Sequence, residues 1–166
     1  FPGKAVYLVH YRGYGGSEGK PTEAGLVADA LALFDRLHPS HPQITVIGRS
    51  LGSGVAVHLA SVRPVQRLVL VTPFNSIAEL AQQRFPMFPV QWLMLDKYDS
   101  WRHAPKVRAP TTLVIASDDE MIPRASAERL FSQFQPGVAS KVIIKHRGHN
   151  SISDDEGYLT ALSGGL

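Results

Sequence analysis

The sequence predicts an α/β fold, a mostly parallel sheet with helices on both faces. Short β-rich runs alternate with segments of helical periodicity along the 166 residues, which is typical of parallel strands connected by helices. The strand runs are apolar nearly throughout, as in Leu68–Val71, and such runs suit strands that are buried on both faces. Because 44% of the residues are hydrophobic, a chain of this length can bury one core, and a single domain over residues 1–166 is expected.

The predicted elements follow one another in regular order. The predicted strands are residues 5–10, 44–47, 67–71, 112–116 and 141–145. The predicted helices are residues 22–37, 51–62, 125–134 and about 154–162. Because open sheets of this kind place ligands at the carboxyl ends of their strands, reactive residues are expected just after the strands.

One connection is much longer than the others. About forty residues between Thr72 and Thr111 carry five prolines and two tryptophans, which is too long for an ordinary connection. We expect a small cap insertion over the site at about residues 73–110. Its large apolar side chains either line a substrate pocket or pack onto the sheet: Phe85, Met87, Phe88, Trp92, Leu93 and Met94.

Composition narrows the classes of function. The 17 basic and 14 acidic residues give a net charge of +3 and are scattered without a run, so no nucleic-acid partner is expected. The absence of cysteine excludes disulfides, iron–sulfur clusters and thiolate zinc sites. No apolar run approaches the length of a membrane span, and no transmembrane segment is expected. Oligomeric state and localisation stay open, with a cytoplasmic location favoured.

The most informative pattern is Gly48-Arg49-Ser50-Leu51-Gly52, between a β-branched run and a helix-like run. This strand, turn and helix context is that of a serine nucleophile elbow. A strand that reverses sharply into a helix holds the serine in a strained conformation. Glycines are needed beside it because they allow the strand and helix backbones to approach closely. The alternative is an ordinary glycine-rich turn. Whether the segment is an elbow or an ordinary turn therefore depends on whether the chain also offers a base and an acid for the serine.

A serine that transfers acyl groups needs a base and a carboxylate that orients the base. Three acidic residues at 118–120 follow the strand at 112–116, and His149 follows the strand at 141–145. Acidic residues are also favoured at the start of a helix, which is the alternative explanation for two of the three. His146, inside or at the end of its strand, is the nearest rival of His149, and His103 in the cap is a more remote one.

Four segments together resemble the α/β-hydrolase superfamily: Tyr-Arg-Gly-Tyr-Gly-Gly-Ser-Glu-Gly at 11–19, and residues 48–54, 119–123 and 148–150. The order serine, acid, histidine is also that of this fold. Within the superfamily the segments are similar to small, minimally capped serine esterases, a branch with depalmitoylase-like members. The resemblance implies Ser50 as nucleophile, Asp119 as orienting acid and His149 as general base. It also implies that Leu51 supplies one backbone N–H of the oxyanion hole.

The chain departs from the family pattern in two places. The family usually has aspartate where His10 stands. Family members also carry, upstream, a central strand ending in a His-Gly loop that completes the oxyanion hole, and this chain begins after that point. Either the 166 residues are an N-terminally truncated fragment, which is the expectation, or residues 5–10 take the vacant central place and the loop at 11–16 supplies the second donor.

The predicted function is that of a serine hydrolase cleaving carboxylic esters or thioesters through an acyl-enzyme intermediate. The substrate would be a small-molecule ester or acyl compound, and the chemistry needs neither a metal nor an organic cofactor. A catalytically silent binding module is one alternative, because losing one oxyanion donor costs on the order of 10²- to 10³-fold in rate. A serine peptidase is the other. The sequence does not determine the acyl chain or the leaving group.

Overall fold

Four parallel strands form the sheet of the computed structural model, which describes Phe1 and residues 3–164. Pro2, Gly165 and Leu166 of the predicted 1–166 domain lie outside the described residues. The strands are β1 (Thr45–Arg49), β2 (Arg67–Val71), β3 (Thr111–Ala116) and β4 (Ala139–Ile144). They lie side by side in chain order, and each neighbouring pair is parallel. The predicted parallel sheet is confirmed, and β2 has the predicted bounds.

Helices connect and cover these strands. They are α1 (Glu23–Leu37), α2 (Leu51–Val62), α3 (Ile77–Arg84), α4 (Val90–Leu93), α5 (Ser100–His103), α6 (Arg124–Phe131) and α7 (Glu156–Ser163). Single 3₁₀ turns lie at Ala104–Lys106 and Ser151–Asp154. The four predicted helices correspond to α1, α2, α6 and α7, and α2 has the predicted bounds. None of the helices described is both long and apolar enough to cross a lipid bilayer.

The two faces of the sheet carry different helices. Right-handed connections between strands in chain order place their helices on one face. Accordingly, Leu68 and Leu70 of β2 belong to one core cluster with residues of α2 and α6. Val69 and Val71 point the other way and share a second cluster with residues of α7. All four side chains are fully buried, so the prediction of helices on both faces is confirmed.

Residues 5–10 do not form the predicted strand. They have no strand assignment, and Val6 and Leu8 are 59% and 83% exposed. The β-branched and aromatic run does favour a strand, but a strand also needs a neighbouring backbone to pair with. The sheet ends at β1, which pairs with β2 alone within the described chain. The hypothesis that residues 5–10 occupy the central place of the sheet is therefore wrong.

The long connection between β2 and β3 contains α3, α4 and α5. Its base is part of the core, because Phe74 and Tyr98 are buried and pack with residues of α1 and α2. Its tip is different: Met87 and Trp92 are 93% and 90% exposed. Phe85, Phe88 and Leu93 are also exposed, and Met94 is half-buried. The tip side chains therefore do not pack onto the sheet, which was one of the two expected arrangements.

Candidate active site

A sharp turn at the carboxyl end of β1 presents the hydroxyl of Ser50. Its backbone has φ 49° and ψ −123°, a left-handed region that disfavours residues other than glycine. The Ser50 N–H donates to the carbonyl of Val71, at 2.9 Å, which fixes the turn to β2. Gly48 lets the strand and helix approach, since a Cβ there would lie 2.5 Å from the carbonyl oxygen of Gly52. The strain and small neighbours expected of an elbow are both present.

The structure brings Ser50, His149 and Asp119 together in one hydrogen-bonded chain. Ser50 Oγ lies 3.0 Å from His149 Nε2. His149 Nδ1 lies 2.9 Å and 3.1 Å from the two carboxylate oxygens of Asp119. The side chains of His149 and Asp119 are only 6% and 3% exposed. In this geometry the carboxylate holds the Nδ1–H tautomer, so the lone pair of Nε2 faces the hydroxyl.

Of the three acidic residues in the loop after β3, Asp119 is the one whose side chain contacts the ring of His149. Asp119 Oδ1 accepts hydrogen bonds from the backbone N–H groups of Met121 and Ile122, at 2.9 Å and 2.7 Å. These two bonds hold the carboxylate in the loop and aim it at His149. Asp118 is exposed and accepts a hydrogen bond from Ser117 Oγ instead. Two adjacent aspartates in one loop thus have different surroundings.

Two charged side chains that the sequence prediction missed contact the backbone of His149. Glu120 Oε2 accepts the His149 N–H at 3.1 Å, and Arg49 Nη2 donates to the His149 carbonyl at 3.1 Å. Hydrogen bonds from backbone N–H groups hold the pKa of Glu120 below its usual range. The sequence pattern does not single out Glu120 among the three acidic residues at 118–120. Arg49 occupies a position of the elbow pattern at which any residue type is accepted. Nothing in the local sequence distinguishes either residue.

The rival histidines lie elsewhere. His146 is exposed two residues beyond β4, and its backbone N–H donates to Ser117 Oγ at 2.9 Å. His103 stacks on His58, toward the end of α2 away from Ser50. Neither contacts the hydroxyl of Ser50. Among the described residues, no group of three or more acidic or histidine side chains could hold a metal ion.

The backbone N–H of Leu51 is at the first position of α2, where N–H groups have no acceptor within the helix. The partial positive charge of a helix N-terminus favours an anion at this place. Tyr11 borders the same turn, because its hydroxyl would lie 3.1 Å from a Cβ at Gly52. Burial raises the pKa of this phenol. The hydroxyl of Ser50 therefore lies between an imidazole and a helix N-terminus.

A family profile described as alpha/beta hydrolase fold matches residues 1–102, and the chain belongs to this family. It is 38% identical over 152 residues to an uncharacterized protein of Mycobacterium tuberculosis, covering 89% of this chain and 54% of that protein. It is 30% identical over 156 residues to lysophosphatidylserine lipase ABHD12 of Macaca fascicularis, covering 81% and 39%. The chain spans about half the length of the curated relatives it matches.

Solved structures share the fold at low sequence identity. An alpha-beta serine hydrolase homologue from Coxiella burnetii aligns with a TM-score of 0.65 and 21% identity, over 92% of this chain and 62% of that one. The monoacylglycerol lipase of Paleococcus ferrophilus aligns with a TM-score of 0.62 and 18% identity, over 90% and 76%. At these identities the likeness establishes the α/β-hydrolase fold.

Proposed function

We propose that this chain carries a serine hydrolase site that cleaves carboxylic esters or thioesters through an acyl-enzyme intermediate. One observation carries the proposal: Ser50 Oγ is 3.0 Å from His149 Nε2, and the other ring nitrogen of His149 is bonded to the buried carboxylate of Asp119. A hydroxyl, an imidazole and a carboxylate in this order form an activated nucleophile.

The first half of the reaction forms the acyl-enzyme. Ser50 Oγ attacks the substrate carbonyl carbon while its proton passes to His149 Nε2, and the carbonyl becomes an oxyanion. The N–H of Leu51 at the start of α2 stabilises that negative charge. His149 then gives the proton to the leaving oxygen or sulfur, and the bond between that atom and the carbonyl carbon breaks.

The second half releases the acid. A water molecule attacks the acyl-Ser50 ester, and His149 Nε2 takes one of its protons. Collapse of the tetrahedral intermediate breaks the bond to Ser50 Oγ, which takes the proton back from His149. Throughout, Asp119 orients the ring and stabilises the imidazolium. Backbone N–H groups of Met121 and Ile122 donate to Asp119 and hold its carboxylate in place.

The cap supports an acyl chain as part of the substrate. Leu51, directly after Ser50, is half-buried in the same apolar cluster as Ile77 and Leu80 of α3. The base of the cap therefore adjoins the elbow, and the tip of the cap carries the exposed apolar side chains of Phe88 and Trp92. A lysophosphatidylserine lipase among the relatives agrees with an ester of an apolar acid. We propose such esters ahead of peptides.

A catalytically silent binding module is the second candidate. It is favoured by the position of residues 5–10 outside the sheet, because the alternative source of the second oxyanion donor, the loop at 11–16, required these residues to take the central place. A site with a single donor would turn over slowly. The two candidates differ in whether Ser50 is acylated by the substrate and then deacylated by water.

Labelling with a fluorophosphonate probe tests the proposal. We expect the wild-type protein and the control Ser163→Ala, an exposed position in α7, to be labelled, and Ser50→Ala to stay unlabelled. Wild-type turnover of p-nitrophenyl esters faster than of aminoacyl arylamides would support an esterase over a peptidase. Undiminished labelling of Ser50→Ala, or no labelling of the folded wild type, would overturn the nucleophile assignment. Labelling without turnover would instead identify the silent module.

A further inference from the structure

The backbone of His149 is held from both sides by side chains of opposite charge. Its N–H donates to Glu120 Oε2 at 3.1 Å, and its carbonyl accepts from Arg49 Nη2 at 3.1 Å. Arg49 also reaches the carbonyl of Asn150 at a longer 3.4 Å. Arg49 ends β1 and Glu120 lies in the loop after β3. The contacts therefore tie the histidine loop to the elbow and to the acid loop.

The loop needs such external contacts to fix its main chain. It runs between β4 and the 3₁₀ turn at Ser151–Asp154, and it begins with a left-handed residue, His146 at φ 56°. Its earlier residues are tied to the loop after β3, because the His146 N–H donates to Ser117 Oγ and the Arg147 carbonyl accepts from the Asp118 N–H. The Gly148 N–H donates to Ser151 Oγ in the following turn, at 3.0 Å, and Glu120 and Arg49 hold the next residue, His149. A shift of about 1 Å in a reacting group costs on the order of 10²-fold in rate, so the position of the His149 backbone matters for the proposed chemistry.

Gly148 explains how Glu120 reaches the backbone. A Cβ at this position would lie 2.6 Å from Glu120 Oε2, so a side chain here would displace the carboxylate from the His149 N–H. The carboxylate of Glu120 is otherwise exposed, and it makes no ion pair within the described chain. From the histidine loop it accepts the His149 N–H.

We propose that Arg49 and Glu120 are positioning residues that clamp the backbone of His149. The inference rests on the proposed function of His149 as the general base. The two clamp residues do not touch the reacting atoms. They act by holding the main chain where the ring can bridge Ser50 and Asp119.

The clamp acts through two specific backbone contacts. The other charged side chains near His149 are engaged differently, because Asp119 contacts the ring and Arg147 of the same loop pairs with Asp155. Glu120 supplies an acceptor for the His149 N–H, and Arg49 supplies a donor for its carbonyl. Conservative variants that keep an acceptor or a donor should therefore preserve the effect, which general support of the fold does not require.

The test compares Glu120→Ala, Glu120→Gln, Arg49→Met and Arg49→Lys with the control Asp118→Asn. Asp118 is an exposed neighbour of Asp119 and bonds Ser117, so its variant removes a charge without touching the His149 backbone. For ester hydrolysis we expect kcat to fall on the order of 10- to 100-fold in Glu120→Ala and Arg49→Met with KM nearly unchanged. Glu120→Gln and Arg49→Lys, which keep an acceptor and a cation, restore most of the loss.

The second readout is hydrogen exchange of the His149 backbone amide measured by NMR, which needs no turnover. Glu120→Ala removes the acceptor of this N–H and Arg49→Met removes the donor to the His149 carbonyl, so both should speed the exchange, while Asp118→Asn leaves it nearly unchanged. Unchanged kcat in these two variants, a loss confined to KM, or exchange at the wild-type rate would overturn the clamp. If either variant does not fold, Glu120→Gln and Arg49→Lys, which weaken the same two bonds, carry the comparison.

The two proposals can fail separately. A wild-type protein that fluorophosphonate does not label disproves the nucleophile, but hydrogen exchange at the His149 amide still tests the clamp. A labelled wild type whose clamp variants exchange and turn over at the wild-type rates disproves the clamp alone.

Discussion

The imidazole rings of His58 in α2 and His103 in α5 stack face to face, with centroids 3.9 Å apart and planes 19° from parallel. Burial lowers the pKa of His58. Burial, and secondarily the neighbouring His58, lowers the pKa of His103 to about 4. The Nδ1 atom of His58 is buried and has no hydrogen-bond partner among the described residues. The folded protein thus keeps both rings neutral at neutral pH.

This stack predicts that stability falls as the pH is lowered from about 6.5 to about 4. In that window the unfolded histidines bind protons near their ordinary pKa, whereas His103 in the folded protein binds one only near pH 4. Protons therefore favour the unfolded chain, and the free energy of unfolding decreases. Urea denaturation at several pH values measures this slope.

The matched variants for the pH prediction are His103→Leu and His10→Gln. His103→Leu should flatten the dependence between pH 6.5 and 4, while His10→Gln, at an exposed position, should leave it unchanged. Parallel curves for wild type and His103→Leu would contradict the assignment of the slope to the stack.

The strained backbone of Ser50 predicts an unusual order of stability. Ser50→Gly should be more stable than Ser50→Ala by about 1 kcal/mol, because glycine accepts the positive φ that alanine resists. In the last turn of α2, Ser61→Gly should instead be less stable than Ser61→Ala, by up to about 1 kcal/mol. Urea unfolding of the four variants makes the comparison. The same order at both positions would show that Ser50 is not strained.

Gly148→Ala should reproduce the effect of Glu120→Ala on kcat. The new Cβ would displace the Glu120 carboxylate from the backbone N–H of His149, so both variants break the same hydrogen bond. The double variant should therefore lose little more than either single one, since coupled sites are not additive. A product of the two separate losses would mean that the residues act independently.

The contacts of Arg67 with the end of α7 predict that this residue stabilises the fold. It is 9% exposed and donates to the carbonyls of Leu162 and Ala161 near the end of α7, at 3.2 Å and 3.4 Å. Arg67→Met leaves these acceptors without a charged donor and should lower the free energy of unfolding by about 1–3 kcal/mol. The exposed Arg84→Met in α3 should change it by less than about 0.5 kcal/mol. Equal effects of the two variants would argue against the capping role of Arg67.

The sequence predicted elements best where local signals mark both ends. α2 and β2 have the predicted bounds. For α2, the elbow marks the start of the helix and Pro64 follows its end. The prediction of a strand at residues 5–10 was wrong for a nonlocal reason. Strand propensity does not show whether a partner strand lies beside these residues. The exposure of Met87 and Trp92 was equally hidden, because an apolar residue type does not determine what packs against it.

The candidate site divides in the same way. Ser50 and His149 could be chosen from chain order and from their positions after strands, whereas Asp119 was chosen among three acidic residues through the family resemblance. The structure brings the three into contact. Their catalytic roles stay predictions. Arg49 and Glu120 could not be chosen, because their contacts with His149 join loops that are distant in sequence. Residue type and spacing do not encode such contacts.

The agreement between strand order and chain order bears on synthesis. Of the four described strands, β1 leaves the ribosome before the others, and each later one can pair with the strand made just before it, so this part of the sheet can grow at a single edge during translation. The turn at Ser50 follows β1, whereas His149 emerges only after β4. Ser50 is therefore synthesised 99 residues ahead of His149. The proposed nucleophile meets its proposed base only after β4 has been made.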